Sequence, residues 1–182
     1  MSDFSIRLAR VEDAAHLPEI ELAAGRLFLD IEGLSGVAGM HAIPAEKQAS
    51  LIRKGHSLVA EAEGRLVGFI STEPFRRELH IREFSVHPDM QRQGVGSVLL
   101  RALGIDARNS GFASLTLTTF VDVPWNAPFY ARHGFETVSD LDAHPRLKAD
   151  IEQEVVHGLP RDRRCAMIRF LGQAGTATFP AH

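Results

Sequence analysis

Glu83-Phe84-Ser85-Val86-His87-Pro88-Asp89-Met90-Gln91-Arg92-Gln93-Gly94-Val95-Gly96-Ser97-Val98-Leu99-Leu100 runs from an apolar-alternating strand through a proline turn and a glycine-punctuated loop into the start of a helix. The loop can turn several backbone N–H groups towards one point, and the helix adds the positive end of its dipole. Together they predict a site for a phosphorylated ligand. Side chains at Gly94 and Gly96 would hold a diphosphate away from those amides. Gly94-x-Gly96 is followed by Leu99 where a dinucleotide fingerprint needs its third glycine, so the pair alone does not define the ligand.

On either side of this stretch the pattern continues. Strands are predicted at 4–9, 57–62, 66–72, 78–86, 113–120, 135–139 and 165–171. The second and third are joined by Glu63-Gly64-Arg65, which suits a hairpin. Helices are predicted over 14–29, 44–53, 96–109, 126–133 and 145–156, from apolar recurrence at helical spacing and from Pro44 and Gly134 as start and stop signals. Residues 31–43 carry Gly33, Gly36 and Gly39 and read as an irregular connection. The expected fold is α/β (α+β): a mixed, mostly antiparallel sheet of about seven strands with helices on both faces. The strand–loop–helix–strand passage from Glu78 to Phe120 is its parallel crossover. One domain over 1–172 is expected, with 173–182 as a flexible tail.

Bulk properties narrow the function. The 182 residues suit one well-packed domain, and 45% apolar with 24% charged residues is ordinary for a soluble protein. A net charge of −3, with scattered Lys and Arg, gives no footprint for nucleic acid. No apolar run is long enough for a membrane span, and the N-terminus lacks the pattern of a signal peptide. Cys165 is the single cysteine, which excludes an internal disulfide and fits a reducing, cytoplasmic setting. The nine histidines show no ligand spacing, so no metal is expected.

Gln91-Arg92-Gln93-Gly94-Val95-Gly96 fits a Q/R-x-x-G-x-G/A motif after a strand ending V-x-P, and Asn126, Tyr130 and Gly134-Phe135 follow about thirty residues on. This set resembles the GNAT superfamily, the Gcn5-related N-acetyltransferases. The segment from Leu117 to Tyr130 is similar to an unassigned small-molecule branch of its bacterial members. The resemblance implies acetyl-coenzyme A as co-substrate, with the diphosphate held by backbone amides of Arg92, Gln93, Gly94, Val95, Gly96 and Ser97, beside Gln91. It also implies that Val86 pairs with the pantetheine arm where the fourth and fifth strands part. Asn126 would hydrogen-bond that arm, and Tyr130 would stand near the sulfur. The two are four apart, so on a helix they share a face. Asn126 as a plain N-cap and Tyr130 as a plain core residue are the alternatives.

Transfer to an amine requires removal of the ammonium proton. Glu83, three residues before Val86 where family members often carry an acid, is the leading candidate for this base, and His80 is the runner-up. Their spacing of three places them on opposite faces of a regular strand, so both can line one site only across a bulge. Glu83 paired with an arginine is the bland alternative. Tyr130 would serve the departing thiolate, and the N–H of Val86 the carbonyl oxygen. The resemblance places the acceptor pocket between 25–41 and 140–164. Glu21, Asp30, Glu32 and His41 would stand on one side, with His144, Arg146 and Lys148 on the other. A small-molecule amine is the expected acceptor. A protein lysine or N-terminus, or a silent coenzyme A sensor, are the competitors. A homodimer through the final strands is a further expectation.

Overall fold

The computed structural model of the chain describes residues 3–40 and 42–172; His41 and the expected tail at 173–182 lie outside the described residues. Among these residues seven strands form one sheet: β1 (Ser5–Leu8), β2 (Leu58–Ala62), β3 (Arg65–Phe75), β4 (Glu78–Val86), β5 (Ser114–Phe120), β6 (Glu136–Thr137) and β7 (Arg164–Phe170). Their order is β1-β2-β3-β4-β5-β7-β6, and only the β4–β5 pair is parallel. Among the described residues five α-helices accompany them: α1 (Leu17–Gly25), α2 (Ala45–Arg53), α3 (Val95–Asn109), α4 (Ala127–Arg132) and α5 (Pro145–Val156). The sheet is therefore the mixed, mostly antiparallel one expected, with helices on both faces.

Helix α3 buries Leu99, Leu100 and Leu103 against Val67, Leu79, Ile81 and Leu115. Tyr130 and Phe135, from the α4 region, join the same cluster. The opposite face takes α1 and α2 through Leu17, Ile20 and Ile52 on Val59 and Phe69, and α5 through Leu147 and Ile151 on Ala166. Alternation along β3 and β4 makes both clusters possible, because successive side chains leave the sheet on opposite sides.

Several elements differ from expectation. The helix expected over 14–29 is broken: 3₁₀ turns at Val11–Ala15 and Arg26–Asp30 flank α1, whose start is set by Pro18 in its first turn. The connection after it contains a 3₁₀ turn at Ser35–Gly39. The outer side of β7 is occupied at Met167 and Ile168 by the two-residue β6, so the final long strand is not a free edge. Among the described residues, no helix is long and apolar enough to cross a membrane, and no group of three or more His, Cys, Asp or Glu side chains is placed to hold a metal ion.

Two features of β4 position everything that follows. It pairs with β5 only across Glu78–His80 and Ser114–Thr116, after which the two strands part. Against β3, the register skips one residue: Ile81 faces Thr72 and Glu83 faces Ser71. Arg82 is thus an extra, bulged residue, and the bulge brings His80 and Glu83 to the same face of the sheet.

Candidate active site

Where β4 and β5 separate, a cavity of about 900 Å³ passes between them. It is lined on one side of the sheet by the start of α3 and by Phe129 and Tyr130 of α4. On the other side it is lined by Glu21 and Leu22 of α1, the turns that follow, and Glu154 of α5. A ligand entering from each face would meet its partner in the gap.

The α3 end is built as an anion cradle. Arg92 and Gly94 both adopt left-handed backbone, at φ 60° and 85°, so the loop reverses handedness twice and turns its amides inward. The N–H of Gln91 is spent on Pro88 O, and that of Val98 on Gly94 O. Those of Val95, Gly96 and Ser97, in the first turn of α3, have no intrahelical acceptor. Gly94 is favoured for its φ. A Cβ at Gly96 would meet Phe84 Cζ at 3.4 Å and Phe129 Cζ at 3.6 Å, ordinary contact distances, so what glycine leaves open there is the approach to its own amide. Arg92, Gly94, Val95, Gly96 and Ser97 all line the cavity, as does Gln91, whose Nε2 donates to Val86 O at 3.0 Å. Gln93 does not line it: its amide turns back to donate to Asp89 O at 2.9 Å, and its side chain is exposed. Any part Gln93 has in the cradle is confined to its backbone. Ser97 Oγ lies 3.2 Å from His133 Nε2, a contact not foreseen.

The floor of the gap is the free side of β4. His87 spends its N–H on Val67 O of β3 at 2.8 Å. Alternation then sends the N–H of Val86 the other way, towards the gap. Phe84, Phe129 and Phe135 surround Tyr130, with ring centroids 5.5 to 6.2 Å away. Tyr130 is 7% exposed and lines the cavity. Its hydroxyl has no hydrogen-bond partner among the described residues, and its pKa is raised, first by burial and then by Glu83. Asn126 stands one residue before α4 but does not cap it with its side chain. Its Oδ1 is instead buried without a partner, on a residue that lines the cavity. A buried unpaired acceptor is costly, and a ligand N–H is the natural remedy.

On the opposite face, Glu83 accepts a hydrogen bond from Ser85 Oγ at 2.7 Å. Its pKa is raised by burial, against the opposing effects of Ser85, the Phe84 N–H and Arg164. Glu21 lies close enough for the two carboxyls to interact. Burial and then the charge of Glu83 push Glu21 up to about 8, although Ile43 N–H donates to it at 3.1 Å. Two carboxyl groups raised above their ordinary range in one cavity are suited to taking up an ammonium proton. The arginine pairing considered for Glu83 is absent among the described residues, because Arg164 is bound by Glu154 at 2.9 Å.

His80 is placed differently from expectation. The bulge puts it on the face of Glu83, yet the cavity does not reach it. It is 2% exposed, with Nδ1 2.9 Å from Thr116 Oγ1 and Nε2 3.7 Å from Asp150. Burial, then Arg82 and Arg146, hold its pKa well below the usual histidine value. This buried network ties α5 to the sheet and offers no route to an acceptor amine. Arg146 belongs to it through Asp150 and Glu78. Lys148 pairs with Asp142 at the surface, and neither His144, Asp30 nor Glu32 lines the cavity. Of the expected pocket charges Glu21 does line the cavity, and Glu154 of α5 and Arg164 of β7 join it there. The sequence signal for Glu21 was only its place on the helix before the predicted pocket.

Comparison with known proteins agrees with this geometry. The family described as Acetyltransferase (GNAT) domain matches residues 53–137, the span from the end of α2 through β6. An amino-acid acetyltransferase of Shewanella oneidensis is 28% identical over 120 residues, 59% of this chain. The chain spans about a quarter (26%) of that relative's length. Among solved structures, the ribosomal-protein-S18-alanine N-acetyltransferase of Escherichia coli has a TM-score of 0.67 at 19% identity, covering 97% of this chain and 99% of that one. The PaiA N-acetyltransferase of Thermoplasma acidophilum, in complex with coenzyme A, has a TM-score of 0.66 at 17% identity, covering 92% and 99%. N-acetylglutamate synthase of Neisseria gonorrhoeae, complexed with coenzyme A and N-acetyl-glutamate, has a TM-score of 0.66 at 22% identity, covering 95% of this chain and 36% of that one.

Proposed function

We propose that this chain, whose residues 53–137 match the GNAT acetyltransferase domain, is a member of that family and moves the acetyl group of acetyl-coenzyme A directly to the primary amine of a small molecule. The observation that carries the proposal is the cavity through the parted β4 and β5, with an amide cradle at one end and two raised carboxyls at the other. The residues present fit the co-substrate: the free amides of α3 suit its diphosphate, and the orphaned Oδ1 of Asn126 suits an amide N–H of its pantetheine arm. When bound, acetyl-coenzyme A supplies the thioester carbonyl that the amine attacks.

The remaining work falls to side chains and main chain already in place. An alkylammonium of pKa about 10.4 is neutral to roughly four parts in ten thousand at pH 7, a deficit of roughly 4–5 kcal/mol. Glu83, with Glu21 beside it, takes up that proton directly or through water. The N–H of Val86 donates to the carbonyl oxygen as negative charge builds there. The hydroxyl of Tyr130, held protonated by burial, gives a hydrogen bond or a proton to the departing thiolate. The transfer needs no acyl-enzyme, and the single cysteine, Cys165, is no candidate for one, being buried in β7 with its pKa raised. A small acceptor is favoured over a protein segment because the 3₁₀ turns at Arg26–Asp30 and Ser35–Gly39 wall the α1 side. A thiol-release assay with acetyl-coenzyme A and a panel of amines and peptides tests this. Turnover with small amines is expected, and turnover with peptides alone would overturn it.

A further inference from the structure

The α1 side of the cavity limits which amine can enter. Its walls there are Leu22, Phe28, Val37, Met40, Phe120 and Trp125. The aromatic members form one wall, Phe28 lying 5.3 Å from the ring of Phe120 and 5.8 Å from that of Trp125. Leu22 and Trp125 are exposed, so the wall continues to the cavity mouth. Charges in the cavity divide sharply by sign and by availability. The cations that line it are Arg82, Arg92, Arg132 and Arg164. Arg82 is bound to Glu73 and Asp150 at 2.8 and 2.9 Å. Arg164 is bound to Glu154 through Nε and a terminal nitrogen, both at 2.9 Å, and lies over the Phe120 ring at 4.5 Å. Arg92 is in the amide loop, and Arg132 ends α4 over the Phe129 ring, so both stand at the anion-cradle end. Among the described residues, no cation at the acceptor end is left to meet a carboxylate. Glu21 and Glu83 remain to meet one ammonium.

From this juxtaposition, and resting on the transferase activity proposed above, we propose that the acceptor is a monoamine carried on an apolar body of aromatic size and lacking a carboxylate: an arylalkylamine rather than an amino acid or a polyamine. The ammonium sits at Glu21 and Glu83, and the body lies on the Phe28–Phe120–Trp125 wall. An α-carboxylate would be buried without a counter-charge. The second ammonium of a polyamine would be driven against apolar rings.

The test is a thiol-release assay with saturating acetyl-coenzyme A and matched acceptors: phenethylamine against phenylalanine, tryptamine against tryptophan, with hexylamine and spermidine. A kcat/KM at least 100-fold higher for each amine than for its amino acid is expected, with spermidine well below phenethylamine. Comparable values for amine and amino acid, or spermidine as the best acceptor, would overturn the acceptor class and leave the transferase activity standing. No transfer to any amine, by protein that binds acetyl-coenzyme A, would remove both. Phe28→Ala should raise KM for phenethylamine about tenfold, on the scale of a lost apolar pocket contact, with KM for acetyl-coenzyme A unchanged. Trp125→Ala, at an exposed position, serves if Phe28→Ala melts early. An unchanged amine KM in both variants would rule out the aromatic wall.

Discussion

Replacing Glu83 by Gln separates the chemistry from the fold more cleanly than any other change. Glutamine keeps the shape and can still accept from Ser85 Oγ, which donates to Glu83 at 2.7 Å. It removes a carboxyl whose pKa is raised by burial. A native state that holds its proton more tightly than the unfolded chain loses stability as pH rises through that interval. The substitution therefore removes a destabilising term above pH 4.5, and the variant should melt no lower than the parent at pH 8. Catalysis should move the other way. Loss of a positioned base is worth about 100- to 10,000-fold, or roughly 3–5 kcal/mol, close to the deficit of the protonated amine at pH 7. Without the base, the variant depends on amine already neutral in solution, so its kcat/KM should climb about tenfold per pH unit from 7 to 9. The parent should climb less steeply. Initial rates of thiol release across that range, beside a titration of acetyl-coenzyme A, provide the assay. A variant with parental kcat/KM at pH 7, or one whose deficit persists undiminished at pH 9, would refute the assignment.

Other residues give sharper local tests. Glu21 is pushed up in part by the charge of Glu83, so Glu83→Gln should lower the pKa of the Glu21 carboxyl, read from the pH titration of its carboxyl carbon by NMR; an unchanged or higher value would show that the two carboxyls do not face each other. Tyr130→Phe should lower kcat by at least tenfold and barely alter Tm, because the hydroxyl has no hydrogen-bond partner among the described residues; an unchanged kcat would free it from any role at the sulfur. Asn126→Ala should weaken acetyl-coenzyme A binding about 5- to 10-fold, the worth of one hydrogen bond of about 1 kcal/mol, without lowering the melting temperature of the ligand-free protein, because Oδ1 has no partner to lose. Gly94→Ala meets no neighbouring atom but must hold φ near 85°, at a cost of about 1–2 kcal/mol. A fall in Tm of roughly 2–8 °C follows for a chain of this size, and no fall would mean that the loop relaxes.

Much of this architecture is legible locally. Each of the seven strands lies within a residue or three of where the sequence reading expects one, and β4 and α5 have their expected bounds. The glycine loop is legible because its demand is a backbone one: left-handed φ at Gly94 leaves a mark in residue identity. What escapes the sequence depends on partners supplied from far along the chain. His80 looks available until Thr116 and Asp150, brought by β5 and α5, close around it. The bulge at Arg82 carries no glycine or proline signature. Glu21 gains its raised pKa only when α1 lies across β4, and Arg146 and Lys148 are claimed in part by Glu78 and Asp142, acids from outside α5. The helix expected over 14–29 fails for a nearer reason, since Pro18 opens a new helix inside an otherwise continuous apolar pattern.

The cradle itself can be weighed by titration calorimetry with two ligands, acetyl-coenzyme A and S-acetylpantetheine, which share the thioester arm and differ in the diphosphate and nucleotide. One acetyl-coenzyme A per chain is expected, with affinity at least 100-fold above that of the truncated compound and falling as salt rises. Equal affinities for the two, or no heat with either, would contradict the claim that the first turn of α3 grips a diphosphate beside the parted strands.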